Sequence, residues 1–438
     1  MTNPSSVIPS DSGTVDPGLL TASDYKITTL SLITSDGTVV DIKTLAVEIN
    51  IYEDLFSPCM SGSILMGDAL DLIANFKIHG HEWLIMEIDK PTLGLSLKKV
   101  FRVYKVSDRE LKSQSLQNYI LHFCSEELIL STQRFVSKSY KGMVISEMIN
   151  DMLTNQLAVN PKKLGLMDKT EGIFNIIVPR MQPIEAIEWL SSRAYSSNGT
   201  LFMFYENRDG YNFQSYETLI SRPVYQTYYK RPKLDTDPQL NWNSLNVMKI
   251  VQDFDLIASG RYGAFNSTLM TFDFVNRKVQ NSQYVAGQGV MLNSSVPFNS
   301  TLNRFKTPLN QNPDYFLKFY PTFDSDPKTN ASHPENWLHK KASRLAQLSS
   351  FKMVCTIPGD IALKVGSIVK VEVPQAVPQG DKLQINQLRT GKYLVSAVHH
   401  IFFNDVMSTV FELLSDSING TMNPSSDSSQ GMIAIKGS

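Results

Sequence analysis

Two histidine pairs are the first candidates for chemistry. His79-Gly80-His81 spaces two imidazoles by one residue, and in a strand, where side chains alternate, that spacing puts both on one face, as metal ligands require. No third His, Cys or carboxylate stands at a supporting distance, and His81-Glu82 lacks the second histidine of a zinc-protease helix. A surface hairpin is the competing reading. His399-His400 are adjacent, so a strand points them to opposite faces and both cannot ligate one ion; a core or interface role for one of them is expected. Glu126-Glu127 and Asp253/Asp255 supply neighbouring carboxylates, the residue types of an acid/base pair in glycoside cleavage. Acidic residues at strand ends also occur simply as solvated groups.

Other constellations are missing. There is no Gly-x-Ser-x-Gly elbow, phosphate-binding loop or dinucleotide fingerprint, since Gly287-Gln288-Gly289 lacks both a third glycine and a following helix. Cys59, Cys124 and Cys355 are odd in number and far apart, which argues against a disulfide framework or zinc site and for buried, reduced thiols. Tyr225-Gln226-Thr227-Tyr228-Tyr229-Lys230-Arg231 interleaves aromatics with bases, but 41 basic against 42 acidic residues leave a net charge of −1 and no wider basic surface. Interface burial by tyrosine is the expected use, and no sequence-specific nucleic-acid recognition is expected. The sequence therefore nominates no catalytic, cofactor-binding or metal residues and no cofactor; an assembly component, not an enzyme, is expected.

The elements that would carry these residues are mainly strands. With 438 residues, 42% of them hydrophobic and 19% charged, several packed domains are expected and a disordered chain is excluded. No stretch has the roughly 20 apolar residues of a membrane span, so no stable membrane insertion is expected. Met1 to Ser23 contains no Lys, Arg or apolar core segment, unlike a secretory signal, which implies synthesis in a cytoplasm. Leu45, Val47, Ile49 and Ile51 alternate with Ala46, Glu48, Asn50 and Tyr52, one apolar strand face. Trp83–Ile88, Val100–Val106 and Tyr119–Phe123 are further strand runs.

At Val144 the period changes. Val144, Ile145, Met148, Ile149, Met152, Leu153 and Leu157 form a helical stripe, and a second helix starts at Pro183. With a strand at Phe174–Val178, and two more around Asp209-Gly210, residues 131–221 read as a small α+β unit. Phe254–Ile257 and Leu269–Phe274 flank Ser259-Gly260-Arg261-Tyr262-Gly263 like paired strands. Ser332 and Glu335 fit a capping box before a helix marked by Trp337, Leu338, Ala342, Leu345, Leu348 and Phe351. Strands return at Ile368–Val373, Tyr393–Val398 and Thr409–Leu414. Two hairpins share a grammar: Phe101–Ser107 with Tyr119–Glu126, and Lys392–Val398 with Ser408–Ser415. A duplicated β-barrel is one explanation, chance likeness between hairpins the other.

Several segments resemble the central baseplate hub proteins of contractile phage tails and related injection machines. Glu48-Ile49-Asn50-Ile51-Tyr52-Glu53-Asp54-Leu55-Phe56-Ser57-Pro58-Cys59-Met60-Ser61-Gly62-Ser63-Ile64 with Gly67-Asp68 looks like the opening of the family's first tube domain. Tyr140-Lys141-Gly142 and the run Ile177 to Ala194 are similar to its inserted α+β domain, Gly260–Gly263 with Leu269 and Asp273 to its mid-chain hairpin. Ile357-Pro358-Gly359-Asp360, Val365-Gly366 and Gly391–Val395 resemble its closing domain.

The resemblance implies a mainly β fold in which two similar antiparallel β-barrel tube domains flank a smaller α+β insertion. The expected organisation is a mobile arm at 1–23, a first tube domain at 24–130, the insertion at 131–221, a connecting region with strands of the second barrel at 222–334, its closing helix and strands at 335–417, and a mobile tail at 418–438. It also implies a homotrimer, pseudo-sixfold, at the virion tail baseplate, with the tail tube protein and the central spike protein as partners. Tape measure and baseplate wedge proteins are further candidate partners. Residues 279–334 match nothing in the family pattern and are expected to contact a neighbouring baseplate protein. A β-rich enzyme degrading cell-envelope carbohydrate and a receptor-binding tail protein are the competing readings.

Overall fold

A computed structural model describes residues 23–34, 36–113, 116–197, 201–230, 242–253, 255, 257, 266–274, 276–285, 317–322, 334–348, 351–373, 385–386 and 389–417. The first β region contains β1 (Lys26–Ile33), β2 (Val39–Asp41), β3 (Ala46–Asp54), β4 (Ser61–Asp68), β5 (Trp83–Lys90), β6 (Leu95–Ser113) and β7 (Leu116–Cys124), with the short helix α1 (Leu72–Asn75). Strict alternation of buried and half-exposed residues along β4 and β5 shows why these runs are strands with one covered face. Ile49 and Ile51 point inward as the pattern predicts, whereas Val47 is 44% exposed, because a register shift between Ala46 and Glu48 breaks the alternation there.

Between the β regions lie α2 (Glu126–Thr132), β8 (Val136–Met143), α3 (Ile145–Asp151), β9 (Leu164–Met167), β10 (Phe174–Met181), α4 (Pro183–Ser191), β11 (Phe202–Asn207), β12 (Gly210–Ser215) and α5 (Tyr216–Ile220). β8 pairs with β10, and the β11–β12 hairpin takes β9 in parallel. The stripe Ile145, Met148, Ile149, Met152 and Leu153 is buried in this unit's own core with Ile187, Leu190 and Phe213. The turn into β12 requires glycine: Gly210 has φ +132°, and a Cβ there would lie 2.1 Å from the Lys163 carbonyl oxygen.

The second β region is formed by β13 (Val224–Tyr229), β14 (Val247–Gln252), β18 (Phe351–Pro358), β19 (Ile368–Glu372), β20 (Gly391–Phe403) and β21 (Val406–Ser415). β15 (Asn266–Asp273), β16 (Lys278–Val285) and β17 (Leu317–Thr322) form a separate three-stranded sheet, and α6 (Leu338–Leu348) precedes β18. Three sequence expectations change here. β15 pairs with β16 and β17 and not with a strand at Phe254–Ile257; Phe254, Leu256 and the loop 258–263 lie outside the described residues. Phe351 begins β18 and does not end the helix, because its side chain enters the core of the β region. Leu345 is half exposed, and α6 buries His339, Ser343, Arg344, Ala346, Gln347 and Leu348. Ser332, the arm 1–22, the tail 418–438 and Gly287–Gly289 also lie outside the described residues.

Both β regions belong to one 13-stranded sheet, ordered β14-β18-β21-β20-β3-β4-β7-β6-β5-β1-β2, with β19 beside β20 and β13 beside β19. Among the described residues it does not close on itself. Within it one permutation occurs twice: β3-β4-β7-β6-β5-β1 and β14-β18-β21-β20-β19-β13. The outermost strands differ, β1 being antiparallel to β5 and β13 parallel to β19.

The registers repeat as well. Arg102 and Val103 face Cys124 and Phe123, Tyr104 bulges, and Lys105 faces His122. Likewise Leu394 and Val395 face Leu414 and Leu413, Ser396 bulges, and Ala397 faces Glu412. Below each bulge the strand bonds one more residue of its neighbour, Val103 N–H to Glu82 and Val395 N–H to Ser367.

Candidate assembly interface

The two β regions meet where β20 runs past the end of β19 and pairs antiparallel with β3, from Ala397 opposite Asp54 to Phe403 opposite Glu48. On its outer face the His399 ring lies 4.4 Å from that of Tyr52, and His399 Nε2 is 2.7 Å from Asn50 Oδ1. On the inner face His400 is 3% exposed, with Nδ1 3.1 Å from Thr409 Oγ1. Burial pushes the His400 imidazole down to about 3, so it stays neutral. The histidines thus occupy opposite faces and do not form a joint site.

Buried carboxylates pin the insertion across this junction. Glu53, 2% exposed on β3, accepts from Arg208 N–H at 2.8 Å with one oxygen and from Val365 N–H at 3.0 Å with the other. One side chain thereby ties both β regions to the β11–β12 turn. Arg208 also donates to the Ile361 carbonyl at 2.9 Å, and Asp209 pairs with Lys364. Beside it, Glu206 accepts from Met60 N–H at 2.9 Å and from the Ser125 hydroxyl, with Lys99 Nζ 3.5 Å away.

Burial pushes the Glu53 carboxyl up to about 7, against its two N–H donors and Lys99. A carboxyl raised in the folded state contributes stability that is complete below its unfolded value and lost as pH rises through 7. Between pH 5 and 8 the wild-type chain should therefore lose up to about 3 kcal/mol more than Glu53→Gln in urea unfolding. Parallel pH profiles of the two proteins would exclude this role.

The remaining sequence candidates are dispersed. His79 and His81 are exposed in the turn before β5, not on a strand, and the turn is held by Glu82 accepting from the backbone N–H of His79 and Gly80. Glu126 pairs with Arg102 at 3.2 Å, while buried Glu127 accepts from Lys163 at 2.6 Å and Tyr211 at 3.1 Å. Asp253 pairs with Arg389. Tyr228 is fully buried within this chain, and its hydroxyl and that of Tyr225 donate to Asp360; intramolecular packing, not interface burial, accounts for Tyr228. Arg231 lies outside the described residues. All three cysteines are buried and free. Among the described residues no group of His, Cys, Asp and Glu could hold a metal ion, and no helix is long and apolar enough to cross a membrane.

A groove on the outer side of the junction brings Asp54 and Glu412 into one lining with Phe56, Leu345 and Lys352. Both carboxylates have local partners: Asp54 accepts from Phe56 N–H at 2.8 Å, Glu412 from Ser396 at 2.9 Å and Lys352 at 2.7 Å. Sequence reasoning missed Glu53 and Glu206 as organising residues. A signal for Glu53 was present, since it continues the inward parity of Ile49 and Ile51.

No protein-family model matches the chain. It is 22% identical over 392 residues to the probable baseplate hub protein gp334 of Vibrio phage KVP40, covering 84% of this chain and 89% of that one. Its fold is similar to a tail protein from Neisseria meningitidis MC58 (TM-score 0.53, 14% identity, 90% of this chain and 97% of that chain). It is also similar to the 43 kDa tail protein of prophage MuSo2 from Shewanella oneidensis (TM-score 0.52, 9% identity, 89% and 99%).

Proposed function

We propose that this chain is a structural baseplate hub of a contractile phage tail, located in the virion tail baseplate and performing no catalysis. Three copies would form a pseudo-sixfold ring joining the hexameric tail tube to the trimeric spike. The observation that carries this reading is the repeated strand order and register, two equivalent β modules in one sheet. Three chains with two such modules each offer six near-equivalent contacts to a sixfold partner while keeping true threefold symmetry for the other. Similarity to a hub protein along most of both chains supports the assignment.

In this reading residues 24–130 and 335–417, with strands contributed by 222–334, are the two tube domains, and 131–221 is the insertion. The tail tube and central spike proteins are direct partners; tape measure and wedge proteins are neighbours. Negative-stain imaging of the purified chain, alone and co-expressed with candidate spike partners, should show annular particles with threefold symmetry and six lobes. Monomers in every condition, or another symmetry, would overturn it.

A further inference from the structure

The junction inside the chain is a template for a junction between chains. Its two strands, β20 and β3, have counterparts that each carry one edge without a paired strand among the described residues. Counted through the repeated registers, β6 corresponds to β20, so that Glu110 stands where Ile401 does and Leu111 where Phe402 does. Through β4 and β18, β14 corresponds to β3, with Met248 in the place of Ile49, Lys249 of Asn50 and Ile250 of Ile51. Among the described residues, no strand pairs with β6 beyond Val103 on the side away from β7, or with β14 on the side away from β18.

Exposure follows the same logic. Phe402 and Ile51 are 1% and 0% exposed at the internal junction, whereas their counterparts Leu111 and Ile250 are 75% and 41% exposed. An apolar edge is a pairing template unless it is covered, and here each uncovered position has a covered twin.

We propose that β6 of one copy pairs antiparallel with β14 of a second copy of this chain, with Glu110 opposite Lys249 and Leu111 opposite Met248. The inference rests on the ring reading above and assigns the strands that close it. The contact is head-to-tail, so each copy gives one edge and receives the other, which is what a ring requires. Glu110 against Lys249 places opposite charges on directly facing residues, a device that fixes register. In the free chain Glu110 is held by Lys112 at 2.6 Å, an exposed ion pair that can exchange partners.

The test uses the full chain. Glu110→Cys/Lys249→Cys in one polypeptide should give covalent multimers on mild oxidation, since facing residues of a strand pair meet disulfide geometry and the native cysteines are buried. Glu110→Cys/Lys370→Cys, which pairs the same edge with a strand not at the contact, should not. Single reversals Glu110→Lys and Lys249→Glu should each raise the concentration at which rings form by roughly tenfold, and the double reversal should restore it, while thermal melting of the monomer stays unchanged. Rings that form without the 110–249 crosslink, or are indifferent to the reversals, would overturn the edge pairing alone. A wild-type chain that stays monomeric by mass photometry both alone and co-expressed with the candidate spike partners would overturn the ring reading and this inference together.

Discussion

Gly210→Ala should destabilise the chain by roughly 2–6 kcal/mol, seen as a large drop in the urea midpoint and in soluble yield. Two costs add. The backbone there has φ +132°, a region open essentially to glycine alone, where another residue costs on the order of 1–3 kcal/mol. The new methyl would also sit 2.1 Å from the Lys163 carbonyl oxygen, a backbone atom that can move only by displacing β9, and overpacking of this kind costs about 1–3 kcal/mol more. The preceding residues Arg208 and Asp209 hold both β regions, so the damage should reach the whole chain. Serine at this position should behave like alanine. A midpoint within experimental error of wild type would show that the turn can relax and that the hairpin is not a fixed strut.

Glu206→Ala should cost about 3–5 kcal/mol, the penalty for removing one member of a buried charged pair. Lys99, with its side chain 12% exposed, would keep only the Asn207 carbonyl at 3.2 Å among its two acceptors, and Met60 N–H would lose its partner. The pair itself need not favour folding over an apolar alternative. Lys99→Met/Glu206→Leu should therefore recover more than half of the loss, because both charges are then absent. If the double variant is as unstable as Glu206→Ala, the Met60 and Ser125 hydrogen bonds are the main contribution and the ion pair is incidental.

Much of the architecture was legible because it rests on local periods. The strands Trp83–Ile88 and Thr409–Leu414, the helical stripe from Ile145 and the start at Pro183 are set by side-chain alternation, helical spacing and the fixed φ of proline. The similarity of the two hairpins was visible as well, and their common bulge at Tyr104 and Ser396 is its structural counterpart.

What local pattern cannot carry is the choice of partner strand. Nothing near Ile49 says that it will lie opposite Phe402, because one half-buried strand face satisfies the same pattern beside any neighbour. The helix from Leu338 was placed correctly but faced wrongly, since its buried side carries Ser343, Arg344 and Gln347, which a hydrophobic criterion reads as solvent-facing. The candidate site suffered likewise. The paired histidines and carboxylates were conspicuous by type, whereas Glu53 and Glu206 act through where distant segments deliver backbone N–H groups.

The pairing of β3 with β20 sets a timetable for synthesis. Asn50 and its partner His399 are 349 residues apart, so at roughly 5–20 residues per second the β3 edge waits on the order of 20–70 s for its neighbour to leave the ribosome. During that interval the first module is a nearly finished sheet with an unsatisfied border carrying Ile49 and Ile51. On a polysome, where several nascent chains sit close together, that border can take the same strand from a sister chain and produce a domain-swapped product. Slower initiation, which spaces the ribosomes, should raise the yield of correctly folded monomer more than lower temperature alone.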